Sequence, residues 1–416
     1  MLALRSLRNR RTTALLTISA IAISVALLLG VQKMRTAARD GFANTVSGVD
    51  LIVGARSGQL NLLLYSVFRV GDATANVSWA SYQKIANHPD VAWTIPISLG
   101  DSHRGFRVMG TNNDYFEHYR FAGDRSIRFA SGQRFADLYD AVIGADVARQ
   151  LGYKQGDKVV ISHGLGNVSF AHHEDKPFRI TGILERTGTP IDRTVHVSLE
   201  AITAIHLDWD SGMQAQGAGR ISAEEARAQE LTPESITAFM VGMRTKVMTF
   251  TMQRAINEYR LEPLLAIIPG VALTQLWNLV GIADTALMIV AAFVVLAGLL
   301  GMLTAILTSL NERRREMAIL RSVGAQPRHV FSMLVAEAGL LASAGVLTGV
   351  ALCYGLLYAA KPVLENRFGI FLDPGGLTGY DVGLLVSIVF AALLMGAVPA
   401  WRAYRNTLSD GLTIRV

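Results

Sequence analysis

His163, His172 and His173, followed at once by Glu174 and Asp175, lie within thirteen residues in a Gly-containing stretch. Neutral imidazoles beside carboxylates are the donor set that zinc or another borderline divalent cation takes, and a loop can wrap such an ion. The competing reading is a solvated surface loop, since adjacent side chains on a strand point to opposite faces. His163, His172, His173 and Glu174 are therefore candidate ligands with no metal assigned, and His88, His103, His118, His196 and His206 are dispersed.

Other chemistry is thin. A phosphate-binding loop needs G-x-x-x-x-G-K-[ST], whose backbone N–H groups and lysine grip the phosphates; the nearest string, GYKQGDKV at residues 152–159, has the wrong spacing and no hydroxyl. Neither G-x-S-x-G nor H-E-x-x-H occurs. The chain is not expected to be an enzyme or to hold a cofactor of its own. Glu337 lies well inside an apolar run, where an acid must be paired, protonated or turned to a crevice. A hydrogen bond to Thr304 or Thr308 is the expected structural role, and proton coupling is the alternative. The single cysteine, Cys353, also lies in an apolar run, so no disulfide framework forms within one chain.

The elements that carry these residues are mostly apolar. Half of the side chains are hydrophobic while 17% are charged, and four runs are long enough to cross a bilayer: residues 12–32, 285–310, 330–360 and 382–401. Arg5, Arg8, Arg10 and Arg11 precede the first, which is longer than a signal-peptide core and reads as a retained anchor. The net charge of +6 does not indicate nucleic acid, because the arginines crowd beside the apolar runs. Basic residues near the span ends place the N-terminal tail, residues 311–328 and the C-terminal tail in the cytoplasm, an N-in, C-in topology.

The expected fold is thus an α-helical membrane protein with four transmembrane helices and a large extracytoplasmic α+β domain between helices 1 and 2. The expected boundaries are 1–11 for an amphipathic N-terminal segment, 12–32 for the first span, 33–282 for the outer domain and 283–310 for the second span. Residues 311–328 form a cytoplasmic helix, 329–360 the third span, 361–381 a short outer loop, 382–401 the fourth span and 402–416 a cytoplasmic tail. In the outer domain, β-rich runs separated by turn signals predict strands at 50–53, 91–98, 106–110, 141–144, 159–162, 178–184 and 195–198. Helical spacing predicts helices at 78–87, at 146–151 and within 233–259. Residues 211–234 are poor in large apolar side chains and read as a mobile loop. Residues 58–70, GQLNLLLYSVFRV, read as a core helix or domain interface, with a bilayer-facing role as the alternative.

The cytoplasmic segment between the second and third spans has more structure than a topology signal requires. Met317, Leu320 and Gly324 share one helical face, Arg313 can pair with Glu316 three residues on, and Gly324 stops the helix before Pro327. Acids, an apolar stripe and a defined stop are what docking to a protein surface requires. Residues 312–325, ERRREMAILRSVGA, with the following QPRH, resemble the cytoplasmic helix after the second span of FtsX-like permeases of the MacB type, the type VII ABC transporters. Residues 399–408, PAWRAYRNTL, are similar to that family's exit from the fourth span, and residues 4–11, LRSLRNRR, to its lead into the first. The outer domain is similar in size and position.

The resemblance implies a permease that moves with two ATPase subunits on the cytoplasmic side, as a homodimer or with a similar chain. ATP and magnesium would belong to the ATPase, and a periplasmic adaptor or substrate-binding protein could complete the assembly in a bacterial inner membrane. Glu312, Arg313, Arg314, Arg315, Glu316, Met317, Leu320, Arg321 and Gly324 would form the ATPase-coupling surface. The resemblance implies mechanotransmission, in which ATP-driven closure is passed to the outer domain to export or extract a hydrophobic or amphipathic substrate. An FtsX-like regulatory scaffold and a metal-linked transport system are the alternatives.

Overall fold

Without water to take their N–H and C=O groups, long apolar stretches must satisfy the backbone within themselves, and four do so as helices. The computed structural model describes residues 11–43, 45–163, 175–210, 213–214, 220–312, 326–364 and 375–405. The first membrane helix is Arg11–Ala43, the second Pro269–Glu312, the third Pro327–Val363 and the fourth Gly379–Arg405. Their apolar parts, Arg11–Ala37, Thr285–Thr308, Arg328–Val363 and Gly379–Trp401, are each long enough to span a bilayer. The helices extend past the apolar runs, most of all the second, whose 44 residues measure about 66 Å at the helical rise.

The chain forms two compact units, one of residues 1–38, 280–368 and 372–416, the other of residues 39–279 with 369–371. The second unit is built on one mixed sheet. Its main strands are β1 Leu51–Ala55, β2 Val91–His103, β3 Phe106–Thr111, β4 Phe129–Gly132 and β5 Asp140–Ile143, followed by β6 Phe178–Leu184, β7 Thr194–Ser198, β8 Ala238–Met243 and β9 Leu264–Ile267. Their spatial order is β9-β1-β8-β2-β3-β7-β5-β6-β4, and the short pieces Ser162–His163 and Lys158–Val159 pair with β2 and β6. Pairing is antiparallel except between β3 and β7 and between β5 and β6. The strand that follows the first membrane helix in sequence and the strand that precedes the second are neighbours, with Ile52 of β1 opposite Ile267 of β9.

Several strands are buried on both faces, so they read as continuous apolar runs and not as alternating ones. That is why β8, AFMVGM, was hidden inside the candidate helical stretch 233–259; the helix, Thr249–Asn257, lies within 247–259, the part of that stretch whose apolar residues have helical spacing. β8 approaches its neighbour closely: a Cβ at Gly242 would fall 2.0 Å from the Trp93 ring of β2. Of the expected loop 211–234, residues 211–212 and 215–219 lie outside the described residues, and the rest contains regular structure. Trp209–Asp210 pairs with Met213–Gln214, and Ala223–Arg227 is a helix closed by a reciprocal cap between Ser222 and Glu225. Ala226 is buried in the core, with Ala223 and the flanking Ile221 and Leu231 packed against it, too little apolar content to register in a composition count. Residues 58–70 form a core element, Gln59–Leu63 running into a π-helical turn Leu64–Phe68, with Leu62, Leu63, Tyr65 and Val67 buried.

Burial also fixes charge states. Lys176 and Asp208, both wholly buried, pair at 2.6 Å and pin the start of β6 to the segment after the helix Leu199–His206. His196 on β7 is wholly buried, with Nδ1 3.2 Å from the Val142 carbonyl oxygen and its ring against Tyr115. Burial, reinforced by the Arg69 charge, pushes this imidazole from 6.5 down to about 3. Burial lowers His103 as well. Because the fold keeps His196 neutral, its contribution to stability is complete above pH 6.5 and is lost as the pH falls toward 3, where the unfolded chain binds a proton that the fold refuses. Urea unfolding of the full chain in detergent should show stability falling by up to about 1.4 kcal/mol per pH unit below 6.5 from this ring. His196→Gln should flatten the slope by close to one proton; an unchanged slope would assign the linkage to other groups.

Candidate functional site

In the membrane unit the helix contacts use small residues. In lipid, association relies on close packing and interhelical hydrogen bonds, which small side chains permit. Gly345 and Gly349, four apart on the third helix, face the first: added Cβ atoms would fall 2.7 Å from Ile21 and 2.7 Å from the Ala22 carbonyl oxygen and Val25. The third and fourth helices meet through Gly339 against Leu393 and Gly396 against Ala338. The first and second meet at Ser24, whose hydroxyl donates to the Ala20 carbonyl at 2.8 Å and to the Val294 carbonyl of the second helix at 3.1 Å. Between the third and fourth helices lies an apolar cleft of about 410 Å³, lined by Phe331, Leu394, Ala397, Val398 and Trp401.

One polar contact in this unit is of a different kind. Lys33 of the first helix places Nζ 2.9 Å from Asp381 Oδ2 at the start of the fourth, with side chains 9% and 2% exposed. The ammonium also donates to the Gly376 carbonyl at 2.6 Å. Asp381 is held from its own side, because its carboxylate accepts the Thr378 backbone N–H at 2.8 Å while Thr378 Oγ1 accepts the Asp381 N–H at 3.2 Å. A carboxylate in a helix's first turn is favoured by the helix dipole. Removing one member of a buried pair strands the other charge, at a cost of about 3–5 kcal/mol.

The expected coupling residues flank the described chain. Glu312 closes the second helix, and Gln326 caps the third, with Pro327 in its first turn and His329 Nδ1 accepting the Gln326 N–H at 3.2 Å. Arg313, Arg314, Arg315, Glu316, Met317, Leu320, Arg321 and Gly324 lie outside the described residues. Glu337 is buried in the third helix, as an intramembrane acid should be. Thr304 and Thr308, its expected partners, donate their hydroxyls to the Leu300 and Thr304 carbonyls of their own helix.

Of the histidine set, His163 closes the strand piece opposite Asp101, while His172, His173 and Glu174 lie outside the described residues. A different acidic cluster does converge, Asp114, Glu117 and His118. Its groups are already engaged: Glu117 pairs with Arg134, Asp114 accepts from Asn112, and His118 stacks on Trp93 with centroids 5.1 Å apart. No metal centre is assigned there.

Comparison with known proteins fits this layout. The model of the MacB-like periplasmic core domain matches residues 14–256, and that of the FtsX-like permease C-terminal region matches residues 288–408. The chain belongs to the MacB-like family of FtsX-type permeases. It is 24% identical over 323 residues to the pyoverdine export ATP-binding/permease protein PvdT of Pseudomonas putida, covering 76% of this chain and 44% of that protein. It is 24% identical over 408 residues to the macrolide export ATP-binding/permease protein MacB of Bdellovibrio bacteriovorus, covering 93% and 57%. The MacB of Photorhabdus laumondii is 22% identical over 432 residues, covering 97% and 59%. The chain thus spans about half the length of the curated relatives it matches. A superposition on the periplasmic region of MacB from Actinobacillus actinomycetemcomitans covers 56% of this chain and 95% of that one, with 8% identity and a TM-score of 0.34, too weak to carry an argument.

In this MacB-like permease, the Lys33–Asp381 pair and the glycine contacts of the third helix are the features that a search for apolar runs passes over. The G-x-x-x-G spacing at 345–349 was a signal available in the sequence. Gly349→Leu should force the first and third helices apart and destabilise the detergent-solubilised chain by about 1–3 kcal/mol. Gly355→Leu, where nothing lies within 4 Å, should be tolerated. Equal melting temperatures for the two variants would show that the close approach contributes nothing.

Proposed function

We propose that the chain is the permease subunit of a MacB-type ABC transporter of the bacterial inner membrane, with its tails in the cytoplasm and its large domain in the periplasm. A partner ATPase dimer hydrolyses ATP with Mg²⁺, and the resulting closure, received at residues 312–324, moves the periplasmic domain to export or extract a hydrophobic or amphipathic substrate. Two copies of the chain, or one copy and a similar permease, form the membrane part.

The observation that carries this reading is the order of the two family matches along one chain, periplasmic core first and permease region second, joined by an unbroken helix from Pro269 to Glu312. A continuous helix is stiff along its axis. Displacement at its Glu312 end therefore arrives at the end that follows β9, two residues away in sequence. The relatives named above are ATP-binding/permease proteins, which supports a permease that works with an ATP-binding part. The basic residues beside the span ends support the orientation.

The test is co-purification with the ATPase encoded beside this chain. Wild type should form a stable complex and raise ATP hydrolysis. Glu316→Lys and Gly324→Pro, which alter the charge and the stop of the coupling segment, should each weaken the complex by about tenfold, 1.4 kcal/mol, and lower hydrolysis in step. If no ATPase associates, or both variants behave as wild type, the coupling role is wrong.

A further inference from the structure

The two polar contacts that tie the first membrane helix to its neighbours differ in what separation costs. Ser24 has one hydroxyl proton, shared between Ala20 of its own helix and Val294 of the second. If the second helix slides, that proton stays on Ala20 and nothing is left unsatisfied. Lys33 and Asp381 keep hydrogen bonds to Gly376 and Thr378 on separation, but each buried charge would lose its counter-ion. The first helix is also interlocked with the third through Gly345 and Gly349, and the third with the fourth through Gly339 and Gly396. The second helix has one such contact, Gly298 against Ser24, while Gly301 three residues on meets nothing within 4 Å. Its apolar window is also the least enclosed of the four, 22% buried against 44% for the first.

We propose that, in a permease working as set out above, the Lys33–Asp381 pair latches the first membrane helix to the fourth. The first, third and fourth helices then form a fixed block, and the second is the helix that moves. Lys33 and Asp381 are positioning residues for the coupled motion. The latch gives the moving helix a surface to work against, and the Ser24 contact is the releasable one.

The experiment is double electron–electron resonance on the full chain in nanodiscs, with Cys353→Ala and spin labels at exposed positions Met34, Leu287 and Val382. In the chain alone, the Met34–Val382 distance, across the latch, should be narrowly distributed. Asp381→Asn should make it roughly twofold broader, as expected when a local tie is released, and Asp381→Glu should restore much of the width. On ATP binding to the chain–ATPase complex, Met34–Val382 should stay fixed while Met34–Leu287 shifts by about 5 Å, one helical turn. The proposal is overturned if Asp381→Asn leaves the width unchanged, or if both distances shift together. Failure of any ATPase to bind defeats the permease reading instead, and the comparison of widths in the chain alone then decides the latch.

Discussion

An ammonium and a carboxylate at the ends of apolar helices have one stable arrangement, which is against each other. Lys33 and Asp381 meet in that arrangement, and the consequence is register. A rotation of the first helix by one residue, about 100°, would carry Lys33 off Asp381 and would also turn Ile21, Ala22 and Val25 away from Gly345 and Gly349. Charge and shape therefore select the same orientation. Neither would be sufficient alone: close packing between apolar helices tolerates sliding, and a long lysine reaches several positions. Together they leave one seat for the first helix.

The outer domain is held together differently, by a sheet whose central strands are covered on both faces. β5, β7 and β8 are buried along their whole length, and the core residues on the two sides belong to separate clusters. The chain joins the first helix to β1 and leaves β9 for the second, and these strands pair directly through Ile52 and Ile267. The strand that follows the first helix in sequence and the strand that precedes the second are thus hydrogen-bonded neighbours at one edge of the sheet.

Much of this was legible in the sequence, and what was missed has physical reasons. The four spans stood out because the bilayer excludes charge, and six of the seven predicted strand segments coincide largely with one observed strand each; the segment at 159–162 is divided between two short pieces. The latch was missed by the same criterion that found the spans. Apolar runs were ended where charge began, so the first stopped at residue 32 and the fourth started at 382, one residue short of Lys33 and one past Asp381. The charges that mark the boundaries are the ones that pair. β8 was missed because burial on both faces removes the alternation by which a strand is recognised. The cap at Ser222 and Glu225 was present in the sequence, but a helix of five residues whose buried residue is Ala226 has almost no apolar signature.

The positions of the small residues say something about the division of labour among the helices that hydropathy alone does not. Helices that must stay together in lipid need contacts whose loss is expensive, because lipid tails replace apolar contacts at little cost. The third helix has two interlocked faces, Gly345 and Gly349 toward the first helix and Gly339 toward the fourth, and is thereby the member around which the others assemble. The second helix presents Leu287, Ile289, Val290, Phe293, Leu296 and Leu300 outward, side chains that lipid or a second copy could cover equally well. It is also the longest. The opposite face packs Ala291, Leu299, Met302 and Ile306 into the membrane core, so the second helix is held by apolar contact, which lipid can replace at little cost, more than by interlocked glycines. Of its four glycines, Gly298 alone has an atom within 4 Å of an added Cβ, so small residues are present in the second helix but mostly not used to interlock it with a neighbour.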